Sequence, residues 1–148
     1  YANAGVPDRV TVRELNERHG TDLDPDSIHE YKARWYSRHL ADLAPVPAVA
    51  ALAKRYHAEG RRISVASGSD LSLVAPSLEV AGLAPLFDII VTPADVARGK
   101  PAPDMFLLAA ARMDVAPEDC LVFEDGKPGI EAAVAAGISW VFVPSRFG

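Results

Sequence analysis

The stretch that most constrains the fold runs from Cys120 to Gly137. Cys120-Leu121-Val122-Phe123 leads into Glu124-Asp125, then a turn, Gly126-Lys127-Pro128-Gly129, then Ile130-Glu131-Ala132-Ala133-Val134-Ala135-Ala136 closed by Gly137. An apolar run, two carboxylates and a helical segment stopped by glycine read as a buried parallel strand, a polar loop and a helix with a C′ glycine. Ligands of open parallel sheets bind in the crevice beyond the carboxyl ends of the strands. Two carboxylates at that place either hold a hard divalent cation such as Mg²⁺ through oxygen or merely cap the following helix.

Upstream, the same alternation begins at Pro47. A helix is expected over 48–59, stopped at Gly60, and a short strand over 63–66 that ends at Ser67-Gly68-Ser69-Asp70. A helix over 71–81, kinked or restarted at Pro76, leads through Gly82 to a strand over 87–91. Lys100-Pro101-Ala102-Pro103-Asp104 stiffens the approach to a helix over 105–113, and the chain closes with a strand over 140–143. Strands separated by helices of this length imply βαβ units and a parallel, Rossmann-like sheet. Residues 1–44 carry no strand signal. They read as a helix over 8–19, then Asp24-Pro25 as N-cap and first-turn proline of a helix reaching about residue 40. The apolar face of that second helix is expected to hold Ile28, Tyr31 and Trp35, widened by Tyr36 and Leu40. Ala44-Pro45-Val46-Pro47 reads as a linker, which divides the chain into a small helical unit, 1–44, and an α/β core, 45–148.

Charge excludes some partners. The net charge is −5 with no run of Lys or Arg, so no nucleic acid is expected, while a local cluster of donors still suits a small phosphorylated ligand. Cys120 is the single cysteine; it rules out an intrachain disulfide and suits an inert core thiol in a cytoplasmic protein. No apolar stretch approaches membrane-spanning length, and no signal peptide is visible.

Three strand-end or loop sites combine. Ser67-Gly68-Ser69 offers a hydroxyl and backbone N–H groups at a helix N-terminus, a phosphate seat or an ordinary cap through Ser69 or Asp70. Lys100 is held by flanking prolines or simply solvated. Glu124-Asp125 is the third. A hydroxyl, an ammonium and a carboxylate pair on one rim suit phosphoryl transfer, which needs charge neutralisation and positioning.

Ser67-Gly68-Ser69, Arg98-Gly99-Lys100-Pro101-Ala102-Pro103-Asp104, and Val122-Phe123-Glu124-Asp125 through Pro128-Gly129-Ile130-Glu131-Ala132-Ala133 resemble the second, third and fourth motifs of the haloacid dehalogenase-like hydrolases. The subgroup they resemble includes β-phosphoglucomutase and the small sugar-phosphate phosphatases. The resemblance implies a helical cap in 1–44 and a core in 45–148. It implies that Ser67, with the Gly68 N–H, binds the transferring phosphoryl group and that Lys100 neutralises it. It further implies that Asp125 ligates Mg²⁺ directly and Glu124 directly or through water. Arg9 and Lys32 are candidates for substrate contact from the cap. The presence of the acidic pair argues against a true dehalogenase.

The family's first motif, Asp-x-Asp-Gly at the end of a first strand, has no counterpart. Asp22-Leu23-Asp24 follows Gly20 with no apolar strand before it, and it is rejected as the nucleophile. In the family that strand lies between those carrying Ser67 and Glu124-Asp125, so its loss would leave two edges unpaired. The expectation is therefore a piece of a longer Mg²⁺-dependent phosphatase or phosphomutase, inactive as it stands. It would be monomeric with the first strand present and otherwise completed by a partner's strand. The alternatives are a non-catalytic binding module and an interaction fragment.

Overall fold

The computed structural model describes residues 8–144; the outer ends of the two expected units, 1–7 and 145–148, lie outside the described residues. Ten helices and strands follow in order: α1 Asp8–His19, α2 Pro25–Arg38, α3 Pro47–Ala58, β1 Ser64–Ala66, α4 Leu71–Val80, β2 Ile89–Val91, α5 Asp104–Met113, β3 Leu121–Glu124, α6 Lys127–Ala135 and β4 Ser139–Phe142. Single 3₁₀ turns at Leu40–Asp42, Ala84–Leu86, Pro93–Asp95 and Pro117–Asp119 tighten connections that the sequence pattern leaves as loops.

Both strand pairs are parallel. Val65 lies opposite Ile90 and Ala66 opposite Val91; Val122 lies opposite Trp140 and Glu124 opposite Phe142. The pairs form two separate two-stranded sheets, with no ladder between β1 and β3 among the described residues. A cavity of about 730 Å³ separates them, lined by Val65 and Ala66 from one side and by Leu121, Val122 and Phe123 from the other. The two halves are joined by packing. Val91, Met105 and Ala109 make one buried cluster and Phe106, Ala132, Ala133 and Ile138 another. Ala66 touches both, and Met105 and Phe106 are neighbours on α5.

Three expectations change in detail. The strand at Cys120 is not buried, because Leu121 is 46% exposed and Trp140, Val141 and Phe142 in β4 are comparably open. Second, α6 begins at Lys127 rather than 130, with Pro128 in the first turn, where a missing N–H costs no intrahelical bond. Third, α2 turns a different face inward. Tyr31 and Trp35 are exposed, and Trp35 stacks on His39 with ring centroids 4.1 Å apart. The inward side is formed instead by Ile28, His29, Ala33 and Tyr36, the Tyr36 hydroxyl meeting Ser77 Oγ of α4 at 3.0 Å. Pro76 sits inside α4 without ending it.

The long connection from β2 to α5 is clipped at two points. Thr92 and Asp95 form a capping box, and Arg112 of α5 donates to Asp95 Oδ1 at 2.8 Å and to the Ile90 carbonyl at 3.2 Å. Arg98 then holds Asp104 by two parallel bonds of 2.7 and 3.1 Å. The Arg112 guanidinium, followed by the Thr92 N–H and hydroxyl, lowers the Asp95 carboxyl from 3.8 to about 2. A depressed carboxylate contributes stability that is fully present above its ordinary pKa and lost as pH falls through the folded value. Asp95→Asn is therefore expected to be less stable than the parent at neutral pH. The difference should narrow between about pH 4 and pH 2, as read by denaturant titration at several pH values.

Candidate active site

Ser67 and Glu124 stand where parallel strands run out, and Lys100 comes from the loop between β2 and α5. The Ser67 N–H extends the β1–β2 ladder, donating to the Val91 carbonyl at 2.9 Å. Beyond it the backbone turns, and the Ser67 hydroxyl oxygen accepts from the Ser69 N–H at 3.1 Å. Asp70 occupies the N-cap position of α4 but makes no capping hydrogen bond, and its carboxylate instead faces His29. The ordinary-cap reading of this loop through Asp70 is thereby removed. At the second strand end Glu124 closes β3, and Gly126, not a carboxylate, stands at the N-cap of α6 without side-chain capping. Neither Glu124 nor Asp125 caps the helix.

Lys100 is buried, its side chain only 4% exposed, so the solvated reading of this lysine fails. Its ammonium donates to the Ala66 carbonyl at 3.2 Å and to Glu124 Oε1 at 3.4 Å, and stands 4.7 Å from the Phe106 ring centroid, within cation–π range. Lys100 thus ties the end of β1 to the end of β3. The two clips on its own loop, Arg112–Asp95 and Arg98–Asp104, hold it there. Burial pushes the Glu124 carboxyl up, the Lys100 ammonium pulls it back, and the Asp125 charge adds to the rise.

Ser67, Gly68, Lys100, Glu124 and Asp125 all line one cavity of about 640 Å³. Its other wall comes from α1 and α2. Arg9 and Lys32 both reach it, each already engaged by an acid: Arg9 by Asp26 and Lys32 by Asp8. Between them lies His29, which the sequence pattern does not single out. Its Nδ1 is 3.4 Å from Asp8 and its Nε2 3.2 Å from Asp70, so it links α1 and α2 to the Ser67–Asp70 loop. No spacing in the sequence flags a lone histidine on a polar helix; only the apposition of α2 and the Ser67–Asp70 loop does.

The donor set suits Mg²⁺. Carboxylate oxygens are hard ligands, and Mg²⁺ is ordinarily held by one or two of them, with waters and substrate phosphate completing its shell. Glu124 and Asp125 supply that number. No cluster of three or more potential ligands occurs among the described residues.

Paired parallel strands, crossover helices and a polar rim at the strand ends define a Rossmann-like α/β protein under a helical cover. Residues 4–137 match the haloacid dehalogenase-like hydrolase family, and the chain belongs to that family of enzymes. It is 39% identical over 141 residues to the fructose-1-phosphate phosphatase YqaB of Escherichia coli K12, covering 94% of this chain and 73% of that protein. It is 35% identical over 122 residues to the β-phosphoglucomutase of Bacillus subtilis 168, covering 80% of this chain and 53% of that one. The crystal structure of CbbY from Rhodobacter sphaeroides in complex with phosphate superposes with a TM-score of 0.83 at 27% identity, over 95% of this chain and 66% of that chain. No helix among the described residues is long and apolar enough to cross a membrane.

Removing the ammonium alone strands the Glu124 carboxylate in a site where its side chain is 12% exposed. Lys100→Met is expected to destabilise the protein by about 3 kcal/mol in denaturant melts. Adding Glu124→Gln to that variant should recover part of the loss, since the neutral amide needs no counter-charge.

Proposed function

We propose that the complete protein is a Mg²⁺-dependent phosphatase or phosphomutase acting on a small phosphorylated metabolite, a sugar phosphate in the first instance. The observation that carries this reading is the convergence of Ser67, Lys100, Glu124 and Asp125 on a single cavity. In it, Ser67 Oγ and the Gly68 N–H bind the phosphoryl oxygens. The Lys100 ammonium, held in place beforehand, neutralises charge as it builds up in transfer. Asp125 and Glu124 are the residues that would hold Mg²⁺, and the bound ion supplies Lewis-acid polarisation and a template for the phosphoryl group. Residues 1–44 act as the cap, with Arg9, His29 and Lys32 facing the part of the substrate that leaves.

The chemistry also needs a nucleophilic carboxylate. We place it on a strand seated between β1 and β3, where both edges are unpaired among the described residues and a cavity already lies open. A residue at the carboxyl end of such a strand would stand beside Lys100, between Ser67 and Asp125, and would carry the phosphoryl group as an aspartyl-phosphate. The relatives and neighbours that support the reading are longer than this chain, which covers 53–73% of the three compared above.

The test is phosphate release by the full-length protein from a panel of sugar monophosphates with Mg²⁺. Turnover that EDTA abolishes and Mg²⁺ restores is expected. Ser67→Ala should lower kcat about 10²-fold, and Asp125→Asn should raise the Mg²⁺ concentration for half-maximal rate at least about tenfold. Equal turnover by residues 1–148 alone would overturn the placement of the nucleophile outside them.

A further inference from the structure

We propose that Gly129 is a positioning residue of this site: the Cβ it lacks is the space in which the Glu124 carboxylate lies to meet Lys100. Only Asp125 and Gly126 separate the end of β3 from the start of α6, so the chain reverses sharply and the first turn of α6 comes back over Glu124. Gly129 is the third residue of that helix and is buried. A Cβ built on it would fall 1.8 Å from Glu124 Oε1, 2.1 Å from Cδ and 2.3 Å from Cγ. Three consecutive atoms of one side chain would have to leave together, so no small rotation of the carboxylate relieves the clash.

The glycine is not there for its backbone. Gly20, Gly60, Gly82 and Gly137 all have positive φ, with nothing within 4 Å of a built Cβ. They occupy left-handed positions at the ends of helices, where glycine is the residue of choice. Gly129 has no such φ. It lies inside a helix, where alanine is the better former, and the neighbouring Ala132 and Ala133 are fully buried without difficulty. What distinguishes position 129 is the acid folded against it. Displacing that acid would separate Glu124 Oε1 from the Lys100 ammonium, now 3.4 Å away, and turn a carboxylate out of the place where we have read half of the cation site.

The metal-site part of this inference rests on the proposed function, but the packing part does not, and the experiment separates them. In the full-length protein, without metal or substrate, Gly129→Ala is expected to lower Tm by about 5 °C. In a Glu124→Ala background the colliding atoms are gone, so the same substitution should leave Tm unchanged or raise it slightly through helix propensity. Calorimetric titration with Mg²⁺ alone should show binding to Gly129→Ala weakened at least about tenfold, with no further weakening on adding Gly129→Ala to Glu124→Ala. Equal losses of Tm in the two backgrounds would overturn the inference, as would undiminished Mg²⁺ binding by Gly129→Ala. Should Gly129→Ala fail to fold, a folded double variant supports the inference and an unfolded one sinks it. Absence of turnover in the parent would count against the phosphatase reading alone, because the Tm cycle involves no substrate.

Discussion

A single buried ammonium joins the halves of this molecule. β1–β2 and β3–β4 are separate two-stranded sheets, and a two-stranded ribbon is marginal by itself. Hydrophobic contact through Ala66, Met105 and Phe106 supplies the attraction but is non-directional. Direction comes from Lys100, which donates to the last carbonyl of β1 and to the last side chain of β3. A charge buried this deeply persists only where its partners are fixed. The fixed partners are strand ends, so the charge reports the relative placement of the two sheets. The same arrangement leaves a preformed positive centre between the Ser67–Asp70 turn and the Glu124–Asp125 pair.

That constraint explains why so much of the fold supports a loop. The segment from Thr92 to Asp104 has little regular structure, yet it is pinned by a capping box and by two arginine–aspartate pairs. Surface ion pairs of this kind contribute little net stability. Their value here is geometric, since they remove freedom from the backbone that delivers Lys100. Ordering a loop in advance lowers what must be ordered when substrate arrives.

The sequence carried the order of elements because each strand is a short β-branched or apolar run set between helical segments and turns. It also carried the motif residues, which cluster at strand ends by the topology of parallel sheets. What it concealed were facts about faces and partners. On α2 the spacing of Ile28, Tyr31 and Trp35 is helical, but so is that of His29, Ala33 and Tyr36. The helix turns inward the face that offers a hydrogen bond to Ser77 and contacts to Asp8 and Asp70, against the hydropathy of its aromatics. Lys100 alone reads as a surface lysine. Its burial follows from where Glu124 and Ala66 meet, an apposition of residues far apart in the chain.

The two adjacent acids show how local geometry divides labour that the sequence leaves equal. Glu124 is the last residue of β3 and Asp125 the first beyond it, and although both line the cavity they differ in exposure. Glu124 turns inward, where burial raises its carboxyl and Lys100 opposes the rise. Asp125 is exposed at the mouth of the cavity and enters no ion pair among the described residues. An inward acid already shared with an ammonium has less charge to offer a cation than an outward one with none. The order Glu-Asp therefore leaves the unpaired acid outermost and the acid that holds Lys100 behind it. With the order of exposure reversed, Lys100 would lose its partner and the seat between the two sheets its fixed charge.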